Sequence, residues 1–231
     1  LAFGARGSGG KNPAAAHYEP GAVVINLTKK SGAGSLAHEW WHGVDHFFGS
    51  QAKKLTFMTD AKRATDTQDI RPEMVRAFKQ VMDAIRKSNL PERSAALDET
   101  RSKPYWATSI EMSARSFETY VSDKMAQADH LNDYLANTDN GESWAVWSSM
   151  VAELSGRPPK PSSPYPTAEE LTEIGAAFDD LFSTMETRET DQGVEMYRQN
   201  GGETVDGDPS LAESVTDLDI SALRKRLSKL V

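Results

Sequence analysis

The stretch Leu36–Gly49, LAHEWWHGVDHFFG, constrains this chain more than any other, because it holds an HExxH pentad. On a helix, His38 and His42 lie one turn apart on one face, where both imidazoles can reach a single metal ion. Glu39 follows the first histidine directly, so its carboxylate can act as a base beside that metal. Apolar neighbours and a glycine at each end predict a buried helix here. The plainer alternative is a pair of core or surface histidines on an ordinary amphipathic helix.

Length and composition bound the class of protein. The 231 residues suffice for one well-cored domain with a tail, or for two small domains. The chain has no cysteine, which excludes disulfides and thiolate metal sites and leaves histidine and carboxylate as metal ligands. A net charge of −8 argues against general nucleic-acid binding. No run approaches the roughly twenty apolar residues of a membrane span. We expect a cytoplasmic protein with no membrane partner, and the oligomeric state stays open.

The two ends of the sequence suggest how the chain is organised. It does not begin with Met, and its first residues lack the pattern of a secretory signal, so we expect a piece of a longer polypeptide or a processed chain. From residue 188 onward the sequence turns acidic and Gly-rich, which predicts a linker or disordered tail with a short C-terminal helix. The chain therefore divides into a domain of residues 1–187 and a tail of residues 188–231.

Between these ends, helical patterns dominate. The β-branched run Ala22–Leu27 follows a Pro-Gly turn and is the best strand signal. In zinc peptidases with an HExxH helix, a strand just before that helix borders the cleft, and we expect this strand to do the same. Apolar residues at helical spacing predict helices over Pro72–Ser88, Ser109–Ala128, Ser143–Leu154 and Thr167–Met185, the last with a Thr167/Glu170 capping box. The fold class is therefore α+β, mainly α.

The helix predicted over Ser109–Ala128 carries a second group of polar residues. Glu111, Arg115 and Glu118 follow one another at steps of four and three beside an apolar stripe. Acidic groups so placed are costly to bury without a partner, and a metal would satisfy them. The alternative is an ordinary surface ladder of ion pairs. Because the HExxH pentad still needs a third ligand, the metal interpretation is preferred.

Three segments together resemble the zincin-like metallopeptidase domain associated with large polyvalent proteins of phages and other mobile elements. They are INLTKKSGAGSLAHEWWHGVDHFFG, EMSARSFETYV and YPTAEELTEIGAAFDDLF, and the resemblance extends over residues 3–185. It implies a zincin-like fold with a small β-sheet edging the cleft. In several gluzincin-type families the third ligand is a glutamate opening a helix, followed by a small residue at +3 and an aromatic at +6. Glu111, Ala114 and Phe117 match that pattern.

The function expected from these features is zinc-dependent hydrolysis of peptide bonds in a protein or peptide substrate. His38, His42 and Glu111 would hold Zn2+, and Glu39 would be the general base. Two alternatives remain open. One is a non-catalytic or antirestriction-type binding module that keeps the metal for structure. The other is an effector or toxin protease with one host target.

Supporting roles are expected for other residues. Peptide hydrolysis needs an oxyanion donor, for which Tyr120 is the candidate catalytic residue, with Arg115 and His130 as further candidates. Asp45 lies on the face of His42, and we expect it to orient a histidine. Arg115 is expected to pair with Glu118 or Asp45. Tryptophan at both x positions of the pentad is expected to narrow the cleft.

Overall fold

The structure is a computed structural model that describes residues 2–3, 16–27, 34–53, 55–99, 101–130, 132–136, 149–150, 152–154, 156, 163–190 and 193–198. It is mainly helical, with two small sheets. The helices that build the core are α1 (Leu36–Gly49), α2 (Pro72–Lys87), α3 (Leu90–Asp98), α4 (Ser109–Gln127) and α5 (Ala168–Ser183). The strands are β1 (Ala2–Phe3), β2 (Ala16–Glu19), β3 (Val24–Leu27), β4 (Met185–Thr190) and β5 (Gly193–Arg198). Short 3-10 turns cover Met58–Asp60 and Ala64–Asp66.

Helix positions follow the apolar periodicity closely. The α1 helix occupies the predicted stretch, and α2, α4 and α5 begin and end within two residues of the predicted bounds. The predicted capping box at the start of α5 is present. The Glu170 N–H donates to Thr167 Oγ1 at 3.3 Å, and the Thr167 N–H donates to Glu170 Oε2 at 2.8 Å. The helix predicted over Ser143–Leu154 lies largely outside the described residues.

The first sheet has the order β1-β3-β2, with β3 parallel to β1 and antiparallel to β2. The run predicted to edge the cleft is therefore the middle strand of the described sheet, and that prediction is wrong. The edge next to α1 is β2, whose Tyr18 pairs with Ile25 of β3. Ile25 and Leu27 are buried in the core, and β3 is paired with β2 along its whole length and with β1 at Asn26 and Leu27.

A two-stranded antiparallel sheet, β4 with β5, follows α5. It crosses the boundary that the change in composition predicted after residue 187. Regular structure therefore continues past residue 187, as far as Arg198. Residues 199–231, where the C-terminal helix is predicted, lie outside the described part of the chain.

The core lies between α1, α2, α4 and α5 and is rich in aromatic side chains. The ring centroid of Trp41 lies 5.2 Å from that of Phe117 and 5.0 Å from that of Phe178. Trp40 and Trp41 are 4% and 0% exposed, so both point into the core and not into a cleft. The expected narrowing of the cleft is therefore wrong, because these two positions face away from the histidines.

No helix in the described part of the chain is long and apolar enough to cross a bilayer.

A close backbone crossing fixes the end of α1. A Cβ atom on Gly49 would lie 2.6 Å from the amide nitrogen of Met58 and 2.7 Å from the Cα of Phe57. Only a glycine allows two backbone segments to pass at this separation. The turn Met58–Asp60 is thereby held against the helix that carries the pentad.

Candidate metal and catalytic site

Two helices bring the predicted ligands together. His38 and His42 lie one turn apart on α1, and Glu111 lies in the first turn of α4, which packs against α1. His38 Nε2 is 3.5 Å from Glu111 Oε2, and His42 Nε2 is 3.6 Å from Glu111 Oε1. One ligand atom from each residue lies within 4.8 Å of the others. The three residues could therefore hold one metal ion between the helices.

The start of α4 is built to present Glu111. The Thr108 hydroxyl caps the helix and accepts the Glu111 N–H at 3.3 Å. Ala114, fully buried one turn later, keeps the side-chain bulk between α4 and its neighbours small. Arg115 Nη1 lies 3.3 Å from Glu111 Oε2, at the expected step of four residues. The Thr108 cap, the small Ala114 and the cationic Arg115 together hold the Glu111 carboxylate toward α1.

Arg115 is held by backbone carbonyls as well as by Glu111. Its Nε–H donates to the Pro164 carbonyl at 3.2 Å, and its Nη2 donates to the carbonyl of Trp106. The guanidinium is buried, so these partners offset the cost of removing its charge from water. The described ion pairs of Arg115 run to Glu111 and not to Glu118 or Asp45, which corrects the expected pairing.

Glu118 supports the first histidine. Its Oε2 lies 3.4 Å from His38 Nδ1, on the ring nitrogen opposite the one that faces Glu111. Burial lowers the pKa of His38, but hydrogen bonds to Glu111 and Glu118 outweigh it and raise this pKa to about 9. Glu118 therefore fixes the ring orientation of His38, which is the role that sequence reasoning gave to Asp45.

The charge states of the other two ligands suit a cation. Burial, followed by the charge of His38, lowers the pKa of His42 to about 3, so its imidazole is neutral. Burial favours the neutral form of Glu111, but contacts with His38, His42 and Arg115 hold its pKa down at about 2. Neutral imidazole and ionised carboxylate are the forms that bind metals, so His42 and Glu111 are in the binding form, whereas His38, with its pKa raised to about 9, would release a proton when a metal binds.

Glu39 lies beside the ligands with one free oxygen. The residue is 6% exposed, and the backbone N–H of Tyr18 donates to its carboxylate. Within the described residues, Glu39 Oε2 is buried and has no hydrogen-bond partner. Burial raises the pKa of Glu39 to about 7. A carboxylate so placed can accept and return a proton near neutral pH.

Tyr18 connects the β2 edge to α1. Its ring lies against Gly43, where an added Cβ would come within 3.6 Å of Tyr18 Cε2. Its hydroxyl and His46 Nδ1 are 2.9 Å apart. The side chain thus anchors the strand on the helix, and the backbone N–H of the same residue reaches Glu39.

Asp45 does not orient a histidine. Its Oδ1 accepts the Thr59 backbone N–H at 2.8 Å, and its Oδ2 accepts the Thr59 hydroxyl. The Nδ1 of His42 has no hydrogen-bond partner among the described residues. The prediction for Asp45 is therefore wrong, because both of its oxygens hold the turn Met58–Asp60 against α1.

The predicted oxyanion donors lie away from the ligands. Tyr120 is nine residues after Glu111, which places it on the opposite face of α4. Its hydroxyl donates to Asp179 of α5 at 2.7 Å, so the catalytic role predicted for Tyr120 is wrong. His130 follows the other end of α4, roughly 28 Å along the axis from Glu111. It is exposed and takes no part in the site.

Tyr105 is a site residue that the sequence analysis missed. Its side chain is hydrogen-bonded to Glu111, and its ring lies 5.8 Å from the Arg115 guanidinium. It is 37% exposed, so the ring borders solvent. The Asp98 carboxylate accepts three successive backbone N–H groups, of residues 105 to 107, at 2.9–3.1 Å. The signal in the sequence was the aromatic pair just before the α4 cap.

Comparison with known proteins gives one match. Residues 97–189 match the family model described as large polyvalent protein-associated domain 1. The matched segment contains Tyr105, Glu111, Arg115 and Glu118, and it begins after the HExxH pentad. No curated protein and no solved structure matches the chain. The match supports the expected association with polyvalent proteins over this segment.

Proposed function

We propose that this chain is a zinc-dependent peptidase with a zincin-like fold, acting as one domain of a phage or mobile-element polyvalent protein. The observation that carries the proposal is the convergence of His38, His42 and Glu111 beside a buried Glu39 whose Oε2 has no partner. The helix order also supports it, since α1 carries the pentad and α4 opens with the glutamate.

The residues present fit zinc. Two imidazole nitrogens and one carboxylate are a known ligand set for catalytic zinc, and three protein ligands leave one position open. One donor atom from each of the three residues lies within 4.8 Å of the others, and the residues come from two helices. A zinc ion held there would act as a Lewis acid, lowering the pKa of water toward about 7 and polarising a carbonyl.

Glu39 performs the proton transfers in this proposal. It takes a proton from the attacking water as the water oxygen bonds to the peptide carbonyl carbon. It then gives that proton to the amide nitrogen as the carbon–nitrogen bond breaks. The products are a carboxylic acid and an amine, so all atoms are accounted for. The Tyr18 N–H, bound to the same carboxylate, keeps it in position throughout.

Tyr105 is the residue that we assign to the oxyanion. Its hydroxyl lies at Glu111 and borders solvent, where a substrate carbonyl would enter. Burial, followed by the negative charge of Glu111, raises the pKa of Tyr105, so the phenol keeps its proton and can donate it in a hydrogen bond. The guanidinium of Arg115 is already bound to backbone carbonyl groups and to Glu111. We therefore assign Arg115 to holding the surrounding loop and not to the oxyanion.

The two alternatives predict different behaviour. A binding module with a structural metal needs no buried carboxylate that lacks a partner, so the free Oε2 of Glu39 favours the peptidase. An effector protease would use the same residues as a general peptidase and would differ only in substrate. The substrate range therefore decides between the general peptidase and the effector.

Zinc content and cleavage by the purified protein test the proposal together. We expect about one zinc per chain by elemental analysis, as a three-ligand catalytic site requires. His38→Ala/His42→Ala should lose that zinc, while His130→Ala, a matched change of an exposed histidine, should keep it. Undiminished zinc in the double variant would overturn the site.

Cleavage assays then separate the three functions. We expect degradation of unfolded casein by the zinc-loaded wild-type chain. Cleavage of a single host protein in a proteome-wide screen, with casein left intact, would establish the effector alternative. Stoichiometric zinc with no cleavage in either assay would establish the binding module.

A further inference from the structure

A cavity lies on the side of the turn Met58–Asp60 that faces α2. Its volume is about 290 Å3, near the lower end of the range for ligand pockets. The floor is apolar and is formed by Met58, Val75, Phe78 and Met82. The rim carries four cationic side chains, Lys62, Arg63, Lys79 and Arg86.

The charge of this rim contrasts with that of the chain. No acidic residue lines the cavity, although the chain as a whole carries a net charge of −8. Lys79 and Arg86 share one carboxylate, Asp83, which lies 3.5 Å from Arg86. No ion pair of Lys62 or Arg63 occurs within the described residues. Asp66 also accepts the backbone N–H groups of Lys62 and Arg63. The four cations therefore outnumber the two carboxylates bound at the rim, which leaves a positive surface around an apolar floor.

The chain contains a segment of complementary chemistry. Residues 203–219 hold six carboxylates and no Lys or Arg. In the same segment Leu211, Val215 and Leu218 are spaced by four and three residues, which is the pattern of an apolar stripe. Apolar side chains of this kind suit the floor, and the carboxylates suit the rim.

We propose that residues 203–219 dock into the cavity between α2 and the turn Met58–Asp60, with their carboxylates on the four cations. This inference goes beyond the proposed function and does not depend on it.

Docking would act on the turn that supports the metal-site helix. Met58 and Thr59 line the cavity, and Thr59 is bound to Asp45 of α1. The ring of Phe57, the residue before the turn, lies 6.3 Å from the His42 ring and 5.8 Å from the His46 ring. A segment bound in the cavity would therefore contact the same turn that packs against the histidine face of α1.

Because the chain has no cysteine, pairs of introduced cysteines can test the docking in the full-length protein. The test pair is Ala64→Cys on the cavity wall with Ser214→Cys. The control pair is Gln127→Cys, exposed at the end of α4, with Ser214→Cys. Under oxidised glutathione, we expect the intramolecular disulfide of the test pair to form at least about ten-fold faster, since docking raises the effective concentration.

Charge reversal and rescue make the test specific. Lys62→Glu/Arg63→Glu should slow the test pair to the rate of the control pair, and so should 0.5 M salt. Replacing Asp217 and Asp219 with Lys in that variant should restore the fast rate. Equal rates for both cysteine pairs, or disulfides only between molecules on mass spectrometry, would overturn the proposal. Thermal melting of each variant verifies that the domain is folded.

Discussion

Two buried carboxylates on α1, Glu39 and Asp45, lie in similar surroundings but have different partners. They are 6% and 0% exposed, and burial raises the pKa of each to about 7. Asp45 has both oxygens occupied by Thr59. Glu39 receives the Tyr18 N–H, and its Oε2 has no partner in the described part of the chain.

This difference separates a structural carboxylate from one available for chemistry. A buried oxygen without a hydrogen bond costs free energy, on the order of 1–3 kcal/mol. A fold tolerates that cost where a ligand or water completes the bond. Asp45 fixes a turn and has nothing left to offer a substrate. Glu39, next to His38 in the chain, keeps one buried acceptor without a partner in the described part of the chain.

The largest effect is expected from Glu39→Gln. The amide cannot take a proton from water, so we expect cleavage to fall by about 10²- to 10⁴-fold. Zinc content and melting temperature should stay at wild-type values, because Gln keeps the shape and accepts the Tyr18 N–H. Asp45→Asn is the matched control on the same helix, and it should retain activity. Loss of zinc in Glu39→Gln would instead identify Glu39 as a ligand.

Zinc titration should rank the other carboxylates near α1. Glu111→Ala removes a ligand and should weaken zinc binding most. Glu118→Ala frees the His38 ring and should cost about 10- to 100-fold in affinity. Asp45→Ala should cost least, because Asp45 bonds to Thr59 and not to a histidine. A larger affinity loss in Asp45→Ala than in Glu111→Ala would reverse the distinction between the two kinds of carboxylate.

Tyr105 and Tyr120 extend the same contrast to hydroxyl groups. Tyr105→Phe removes the donor beside Glu111, and we expect kcat/KM to fall on the order of 10²-fold with zinc retained. Tyr120→Phe removes only the bond to Asp179, so activity should be unchanged apart from a small loss of stability. Equal activity of the two variants would remove Tyr105 from the proposed mechanism.

The last expected effect is a difference in stability that depends on pH. The pKa of Asp45 is about 7 in the folded chain and 3.8 as its ordinary value, so the unfolded chain ionises first. Wild-type protein should therefore lose stability relative to Asp45→Asn as pH rises from about 4 to about 7, at about 1.4 kcal/mol per pH unit at most. Melting curves of both proteins at pH 5 and pH 8 measure the change. A constant difference between them would contradict the assignment.

Residue periodicity was enough to predict most of the helices and to predict that His38, His42 and Glu111 come together. The HExxH motif and helical spacing identify His38, His42 and Glu111, because α1 and α4 must each pack one face against another element. The phase of α4 also shows that Tyr120 and Glu111 cannot share a face, so that error was avoidable.

Other contacts leave no periodic signal. Asp45 meets Thr59 fourteen residues later, after an irregular loop, and nothing in the local sequence indicates that bond. Tyr105 reaches Glu111 from a loop that Asp98 holds through backbone amides. The strands β4 and β5 are rich in charged residues, and their composition resembles that of the sequence after residue 198.

The glycine at the end of α1 has a consequence for how this sequence can change. At Gly49 even a methyl group would displace the backbone of Phe57 and Met58, and the displacement would reach the histidine face on one side and the cavity on the other. A saturation library at this position should therefore show near-complete intolerance, although no side chain there touches a ligand. Selection at Gly49 would preserve the absence of a side chain, and the metal site and the cavity would both depend on this one position.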